Sequence, residues 1–170
     1  MKKTYEERGL KFAETLAKMF QSCVYIWDFV AVIEEYNATH TRKLQWSNGV
    51  SRIVIMRADY VIKFDYRPTG WWGDGHAGNC ETEEEVYAMA KADGMEHLLA
   101  KPTVRHILGH TISIMPRIKN VHNSDRWWGD YCTEEEFNWL EDNINDLHDG
   151  NLGYKGRKVC IIDYAFVDAF

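Results

Sequence analysis

The sequence lacks closely spaced cysteines, a long hydrophobic run and an excess of positive charge. Its four cysteines lie far apart and form no C-x-x-C pair, which indicates neither a disulfide framework nor a zinc ribbon. The longest apolar run, CVYIWDFVAVI, is interrupted by Asp28 and is shorter than the roughly 20 residues of a membrane-spanning helix. The start, MKKTYEERGL, does not resemble a signal peptide. We therefore expect a cytoplasmic protein without a membrane partner.

The net charge of −6 gives the chain no overall attraction for nucleic acid, so we expect no nucleic-acid partner. Its 170 residues suffice for one domain with a sizeable core and are few for two. No low-complexity linker divides the sequence. We predict a single domain over residues 1–170.

Four segments carry helical patterns. Apolar side chains recur at helical spacing in residues 4–21, and residues 24–36 form a second, more apolar helical segment. The segment ETEEEVYAMAKAD predicts a helix whose acidic first turn suits the positive end of the helix dipole and which ends at Gly94. A further helix is predicted to begin at Thr133, because Glu136 follows at capping-box spacing.

Short β-rich runs fill much of the remaining sequence. TRKLQW, SRIVIMRA and YVIKFDY are separated by turn residues and predict an antiparallel meander. Two more strands are predicted near TVRHIL and HTISIMPRI, and LGYKGRKVCII predicts a hairpin. Helices and antiparallel strands in this order predict an α+β fold.

The segment DLHDGN and the residues after it carry a set of possible metal ligands. Asp146 and Asn151 are five residues apart in a turn-rich segment, and Asp163 follows twelve residues later, after a strand. Carboxylate and amide oxygens without Cys or His suit a hard cation such as Mg²⁺. Asp, Asn and Gly are also common turn residues, so spacing alone leaves a plain turn as the alternative.

The order of these motifs resembles the protein-kinase-like fold. D-x-x-x-x-N, a hairpin and an apolar strand ending in DYA resemble its catalytic loop and metal-binding loop, and DLHDGN is similar to the variant of small-molecule and atypical kinases. Upstream, YVIKFDY matches the V-A-I-K strand signature, SNGVSRIVI lies where the phosphate loop is expected, and ISIMPRI lies where the adenine-binding hinge is expected. The resemblance covers residues 41–166.

The resemblance implies a division of the domain into three parts. Residues 1–40 are predicted to be a helical N-terminal extension, and the apolar faces of its two helices suggest that they pack on the catalytic-loop hairpin. Residues 41–122 are predicted to be a kinase-like N-lobe, an antiparallel sheet with an αC-type helix. Residues 123–170 are predicted to be a strongly reduced C-lobe, because only seven residues follow Asp163. Small kinase-like proteins encoded by bacterial viruses look most similar, which would make the host cytoplasm its compartment.

The resemblance also implies roles for individual residues, with ATP and Mg²⁺ as cofactors. Asp146 would accept the proton of the substrate hydroxyl, and His148 would face the γ-phosphate. Asn151 and Asp163 would bind Mg²⁺. Lys63 would bind the α- and β-phosphates and would be held by Glu83, with Glu84 as the alternative. The predicted nucleotide-binding residues are Lys63, Glu83, Gly49, Ser51, Met115 and Arg117.

The sequence departs from the kinase pattern at several places. Gly49 is the only glycine in the predicted phosphate loop, and Ile144 and Asn145 precede Asp146 where protein kinases carry His and Arg. The favoured function is a minimal Mg-ATP-dependent phosphotransferase acting on a hydroxyl of a protein or small molecule, itself included.

Two other functions remain open. One is a catalytically weak pseudokinase that binds or inhibits a host protein. Exposed aromatic pairs are common at such interfaces, although these tryptophans would equally suit a core. The residues concerned are Trp71, Trp72, Trp127 and Trp128. The other is an α+β domain of unrelated role, for which the distance between Lys63 and Asp163 is the deciding measurement.

Overall fold

The computed structural model of the protein describes residues 3–67, 79–119, 131–145, 147–155 and 158–164. The helices are α1 (Tyr5–Met19), α2 (Ile26–Thr39), α3 (Cys80–Ala92) and α4 (Glu134–Asn143). The strands are β1 (Gln45–Asn48), β2 (Arg52–Met56), β3 (Tyr60–Asp65), β4 (Thr103–Ile107), β5 (His110–Pro116), β6 (Leu152–Lys155) and β7 (Lys158–Ile161). The α+β class is confirmed.

Helix ends follow local sequence signals. Thr133 begins α4 with the predicted capping box, in which its hydroxyl accepts from the Glu136 amide and the Glu136 carboxylate accepts from the Thr133 amide. Helix α3 is capped by the Asn79 side chain and ends before Gly94, whose φ of 75° lies in the left-handed region that favours glycine. The predicted helix boundaries are accordingly close to those observed.

Five strands form one antiparallel sheet in the order β1-β2-β3-β5-β4, and β6 and β7 form a separate hairpin. The register pairs Val54 of β2 with Lys63 of β3, and Lys63 in turn with Ser113 of β5. Successive side chains of a strand point to opposite faces. Tyr60, Ile62 and Phe64 therefore face one side of the sheet, and Val61, Lys63 and Asp65 face the other.

Helices α1 and α2 cover the first of these faces. Phe20, Phe29 and Ile33 are fully buried against Ile62 and Phe64 of the sheet in one apolar cluster. The expectation that both helices pack on the C-terminal hairpin is wrong. The hairpin belongs to a second cluster that contains residues of α3, α4 and β5 and none from α1 or α2. An amphipathic pattern identifies a buried face of a helix but not the surface that covers it.

The C-terminal hairpin docks beside the chain segment that leads into β4. The Ala100 amide donates to the carbonyl of Ile161 at 2.9 Å, next to a parallel bridge between Leu99 and Ile161. The hydroxyl of Tyr164 donates to the Ala100 carbonyl at 2.6 Å. The Lys63 ammonium group, on the second face of the sheet, donates to the carbonyl of Ile162 at 3.0 Å, so the residues after β7 lie against that face. None of the helices in the described ranges has the length and apolar character of a membrane crossing.

Candidate functional site

A cavity of about 470 Å³ lies between the second face of the sheet and the C-terminal hairpin. Residues of β2 and β3 form one wall, the segment 115–119 forms an edge, and residues around the hairpin form the other wall. The lining includes Val54, Val61, Lys63, Met115, Asn151, Ile162 and Asp163. The volume is within the range of pockets that bind small molecules and cofactors.

Lys63 lies at the inner end of this cavity. Its side chain is in the middle of the sheet, opposite Val54 on β2, and only 3% of the residue is exposed. A lysine this deeply buried needs charged or polar partners. Its Nζ makes an ion pair with Oε1 of Glu83, donates to the Ile162 carbonyl at 3.0 Å, and lies 3.6 Å from Oδ1 of Asp163.

Helix α3 brings Glu83 to Lys63. The carboxylate of Asp65, at the end of β3, accepts from the Cys80 amide at 3.1 Å and fixes the start of the helix. Burial raises the pKa of Asp65, while the hydrogen bonds from Cys80 oppose this shift. Glu83 follows in the first turn and has no exposed surface. Of the acids in ETEEEV, it is Glu83 that meets Lys63, whereas Glu84 is exposed.

Arg52 is the second buried cation of the site, and no motif in the sequence points to it. The residue is 7% exposed, and its Nη1 lies 2.8 Å from Oε1 of Glu83. Its Nη2 makes an ion pair with Oδ1 of Asp163. Val54 is paired with Lys63, and alternation along β2 places Arg52 on the same face as Val54. The predicted pairing of β2 with β3 was therefore the one sequence signal that could have placed Arg52 beside Lys63.

The charges of the cluster alter the titration of Asp163. Burial alone would raise the pKa of its carboxyl group, but the charges of Lys63 and Arg52 outweigh this effect and lower the pKa to about 2. Asp163 is therefore ionised at neutral pH, and 40% of its side chain is exposed to solvent. The negative charge of Asp163 likewise raises the pKa of Arg52, together with that of Glu83 and against the effect of burial.

Asn151 reaches the cavity through a short 3-10 helix, Asp149–Asn151. The Asn151 amide donates to the His148 carbonyl at 2.8 Å, and its own carbonyl accepts from the Ile162 amide at 2.8 Å. The second bond ties the turn to the residue that precedes Asp163. Asn151 and Asp163 consequently line the same cavity, although twelve residues separate them.

Of the other predicted residues, some line the cavity and others do not. His148 is exposed, and its Nδ1 accepts from the Gly150 amide at 2.9 Å, so the ring caps its own turn. Met115 and Arg117 line the cavity, and the guanidinium of Arg117 donates to the Arg57 carbonyl at 2.8 Å. Gly49 does not line the cavity, and its carbonyl accepts from the Tyr66 hydroxyl.

Ser51 also lies outside the cavity lining and is buried next to Arg52. The remaining predicted residues lie outside the described ranges. They are Asp146, Trp71, Trp72, Trp127 and Trp128.

The donor atoms of the site suit magnesium better than a transition metal. Asn151 and Asp163 offer an amide and a carboxylate oxygen on the cavity wall, the ligand type that Mg²⁺ prefers. Within the described ranges, no group of three or more His, Cys, Asp or Glu residues is arranged to hold a metal ion. A magnesium ion here would take its other ligands from water and from substrate phosphates.

Comparison of the chain with protein-family models, with curated proteins and with solved structures finds no match.

Proposed function

We propose that the cavity binds a nucleoside triphosphate and that the protein is a minimal phosphotransferase with a protein-kinase-like fold. The observation that carries the proposal is the contact of Lys63 with both Glu83 and Asp163 at the end of a cavity with apolar walls. The resemblance implies that Glu83 holds Lys63 and that Asp163 lies within reach of the same nucleotide, and these residues are 20 and 100 positions from Lys63 in the sequence. An antiparallel sheet with a helix on its cavity face is also what the resemblance implies.

The nucleotide base would bind between apolar side chains. Val54 and Val61 from the sheet and Ile162 from the other side supply two opposed apolar surfaces, and Met115 closes the edge. A planar base buries its faces well between such surfaces, and the 115–119 segment lies at the rim of the cavity.

The phosphates would lie toward Lys63. Its ammonium group is held in place by the buried carboxylate of Glu83, so it is positioned before the nucleotide binds. A fixed positive charge in a partly enclosed site stabilises phosphate charge more strongly than one in bulk water. Asn151 and Asp163 would hold magnesium, which spreads the charge of the transferred phosphoryl group.

The acceptor is proposed to be a hydroxyl group of a protein or small molecule. By resemblance, Asp146 orients this hydroxyl and accepts its proton. Phosphoryl transfer of this kind depends mainly on positioning and charge stabilisation, which a small site can supply.

A second candidate function is a nucleotide-binding protein with weak or no transferase activity that acts on a host partner. The observation that favours it is the ion pair between Arg52 and Asp163, since a paired carboxylate is a poorer magnesium ligand. Under this proposal, Trp71, Trp72, Trp127 and Trp128 would contact the partner.

The first test of the proposal is nucleotide binding. We expect ATP with magnesium to raise the melting temperature, because a ligand at 100 times its Kd stabilises the folded state by about 2.7 kcal/mol. Lys63→Met should abolish the rise. Lys91→Met, on the exposed side of α3, is the matched control and should keep it. Absence of any rise in the unaltered protein would contradict the proposal.

Transfer is tested with ATP labelled at the γ-phosphate. The unaltered protein should consume ATP or label itself, and Asp163→Asn and Asp146→Asn should each lose at least about 100-fold in rate. If ATP binds but no phosphate is transferred, the second candidate is favoured. A pull-down partner that is lost on changing Trp71 and Trp72 to Ala, but kept in Asp163→Asn, would support it further.

A further inference from the structure

Arg52 occupies the position next to Asp163 where a phosphate-bound metal would be expected. Its guanidinium contacts Oδ1 of Asp163 with Nη2 and lies beside Glu83 with Nη1. The same Oδ1 is 3.6 Å from Nζ of Lys63, so two cations already share one carboxylate oxygen.

The ion pairs among Arg52, Lys63, Glu83 and Asp163 balance in formal charge without a metal. Arg52 and Lys63 carry two positive charges, and Glu83 and Asp163 carry two negative charges. An arginine keeps its charge at every pH that proteins experience. Deep burial of Arg52, at 7% exposure, limits screening of its charge by water.

A magnesium ion at Asp163 would have to compete with this arrangement. The ion binds oxygen at about 2 Å and would therefore lie within a few ångström of the guanidinium on the same carboxylate. Two cations at such a distance repel each other strongly in a partly buried site. Binding of Mg²⁺ at Oδ1 consequently requires that Arg52 leave Asp163.

We propose that Arg52 takes the place of the metal, so that the cavity binds a metal-free nucleoside polyphosphate and has low affinity for Mg²⁺ until Arg52 is displaced. The inference rests on the proposed nucleotide site and specifies the ionic form of its ligand. Arg52 does not line the cavity itself, but its charge neutralises Asp163, so that phosphates can approach Lys63 without meeting an unpaired carboxylate. Magnesium then affects transfer more than binding.

The test is a titration with ADP, which binds without turnover, in EDTA and in excess Mg²⁺. The unaltered protein should bind ADP with a Kd that changes less than about threefold between the two conditions. Arg52→Gln should weaken binding in EDTA at least about tenfold, and Mg²⁺ should restore it, because the lost cation is replaced. Arg52→Lys retains a positive charge and should behave like the unaltered protein in EDTA.

A second measurement uses Mn²⁺ as a paramagnetic probe in the presence of ADP. Arg52→Gln should bind Mn²⁺ at least about tenfold more tightly than the unaltered protein, an effect that a merely structural role would not produce. Arg105→Gln, an exposed arginine of β4, is the matched control. Circular dichroism of each variant verifies that it is folded. If Arg52→Gln is not folded, the comparison of Arg52→Lys with the unaltered protein supplies the test.

The results separate the inference from the proposed function. Binding of ADP to the unaltered protein only when Mg²⁺ is present would overturn the role of Arg52 and leave the nucleotide site intact. Equal Mn²⁺ affinity in the unaltered protein and Arg52→Gln would overturn it too. Failure of ADP and ATP to bind under either condition would overturn both proposals.

Discussion

Two buried cations lower the pKa of Asp163, and this links the charge of its carboxyl group to the stability of the protein. Its pKa is about 2 in the folded protein, below the ordinary value of 3.8 for an aspartate, because Lys63 and Arg52 outweigh burial. A depressed carboxyl pKa contributes stability that is complete above the unfolded value and is lost as pH falls through the folded one. The relevant window is therefore about pH 4 to pH 2.

We predict that Asp163→Asn lowers the free energy of unfolding by roughly 1 kcal/mol at pH 6. This figure is smaller than full linkage would give, because 40% of the side chain is exposed and screened. The difference between the two proteins should fall by about half at pH 3. Urea unfolding at several pH values measures it, with the exposed Glu84→Gln as control. A stability difference between the two proteins that does not change with pH would contradict the lowered pKa of Asp163.

The motif order was sufficient to predict most members of the charged cluster but not Arg52. Lys63, Glu83 and Asp163 each belong to a motif with a defined place in the sequence order. Arg52 begins a short strand, where an arginine commonly lies in solvent. Its burial depends on Asp163, which is 111 positions away, and on α3 closing over the sheet. Such long-range contacts leave no local signal.

Among the secondary-structure elements, helix α1 has a position fixed by a close approach to the sheet. A Cβ added at Gly9 would lie 2.5 Å from Cγ2 of Ile114 and 3.5 Å from the ring of Tyr60. Glycine usually destabilises a helix interior by about 1 kcal/mol relative to alanine. Here the missing side chain permits the helix to lie directly on β5, so the usual benefit of alanine does not apply.

We predict that Gly9→Ala lowers the free energy of unfolding by about 1 to 3 kcal/mol, as overpacking of a core does. Glu14→Ala, on the exposed side of the same helix, should have little effect and is the control. The cost of Gly9→Ala should be smaller in an Ile114→Ala background, because the clashing methyl group is absent. Chemical denaturation of the unaltered protein, Gly9→Ala, Ile114→Ala and the double variant measures this coupling. A Gly9→Ala protein that is more stable than the unaltered one would refute the close contact.

Elements of the fold were largely predictable, and their packing was not. Hydrophobic periodicity and capping residues located α1 to α4 and the strands of the sheet, since these signals are local. The same signals do not reveal which surface a helix covers. This is why α1 and α2 were expected on the hairpin, whereas Phe20 and Phe29 pack on Phe64 in the sheet.

At the scale of the whole molecule, the candidate site depends on how the C-terminal hairpin is attached to the sheet. The sheet supplies Lys63, whereas the hairpin region supplies Asn151 and Asp163. The attachment includes the hydrogen bond from Tyr164 to the Ala100 carbonyl, in which both residues are almost fully buried. Burial raises the pKa of Tyr164 well above its ordinary value, so its hydroxyl remains protonated and able to donate.

We predict that Tyr164→Phe lowers the free energy of unfolding by about 1 to 2 kcal/mol, because the buried Ala100 carbonyl loses this donor. The same change should weaken ADP binding, since Asn151 and Asp163 lie on the element that it loosens. Calorimetric titration and urea unfolding measure the two effects, with Tyr87→Phe in the same apolar cluster as control. Reduced stability with unchanged ADP affinity would show that the hairpin wall does not contribute to nucleotide binding.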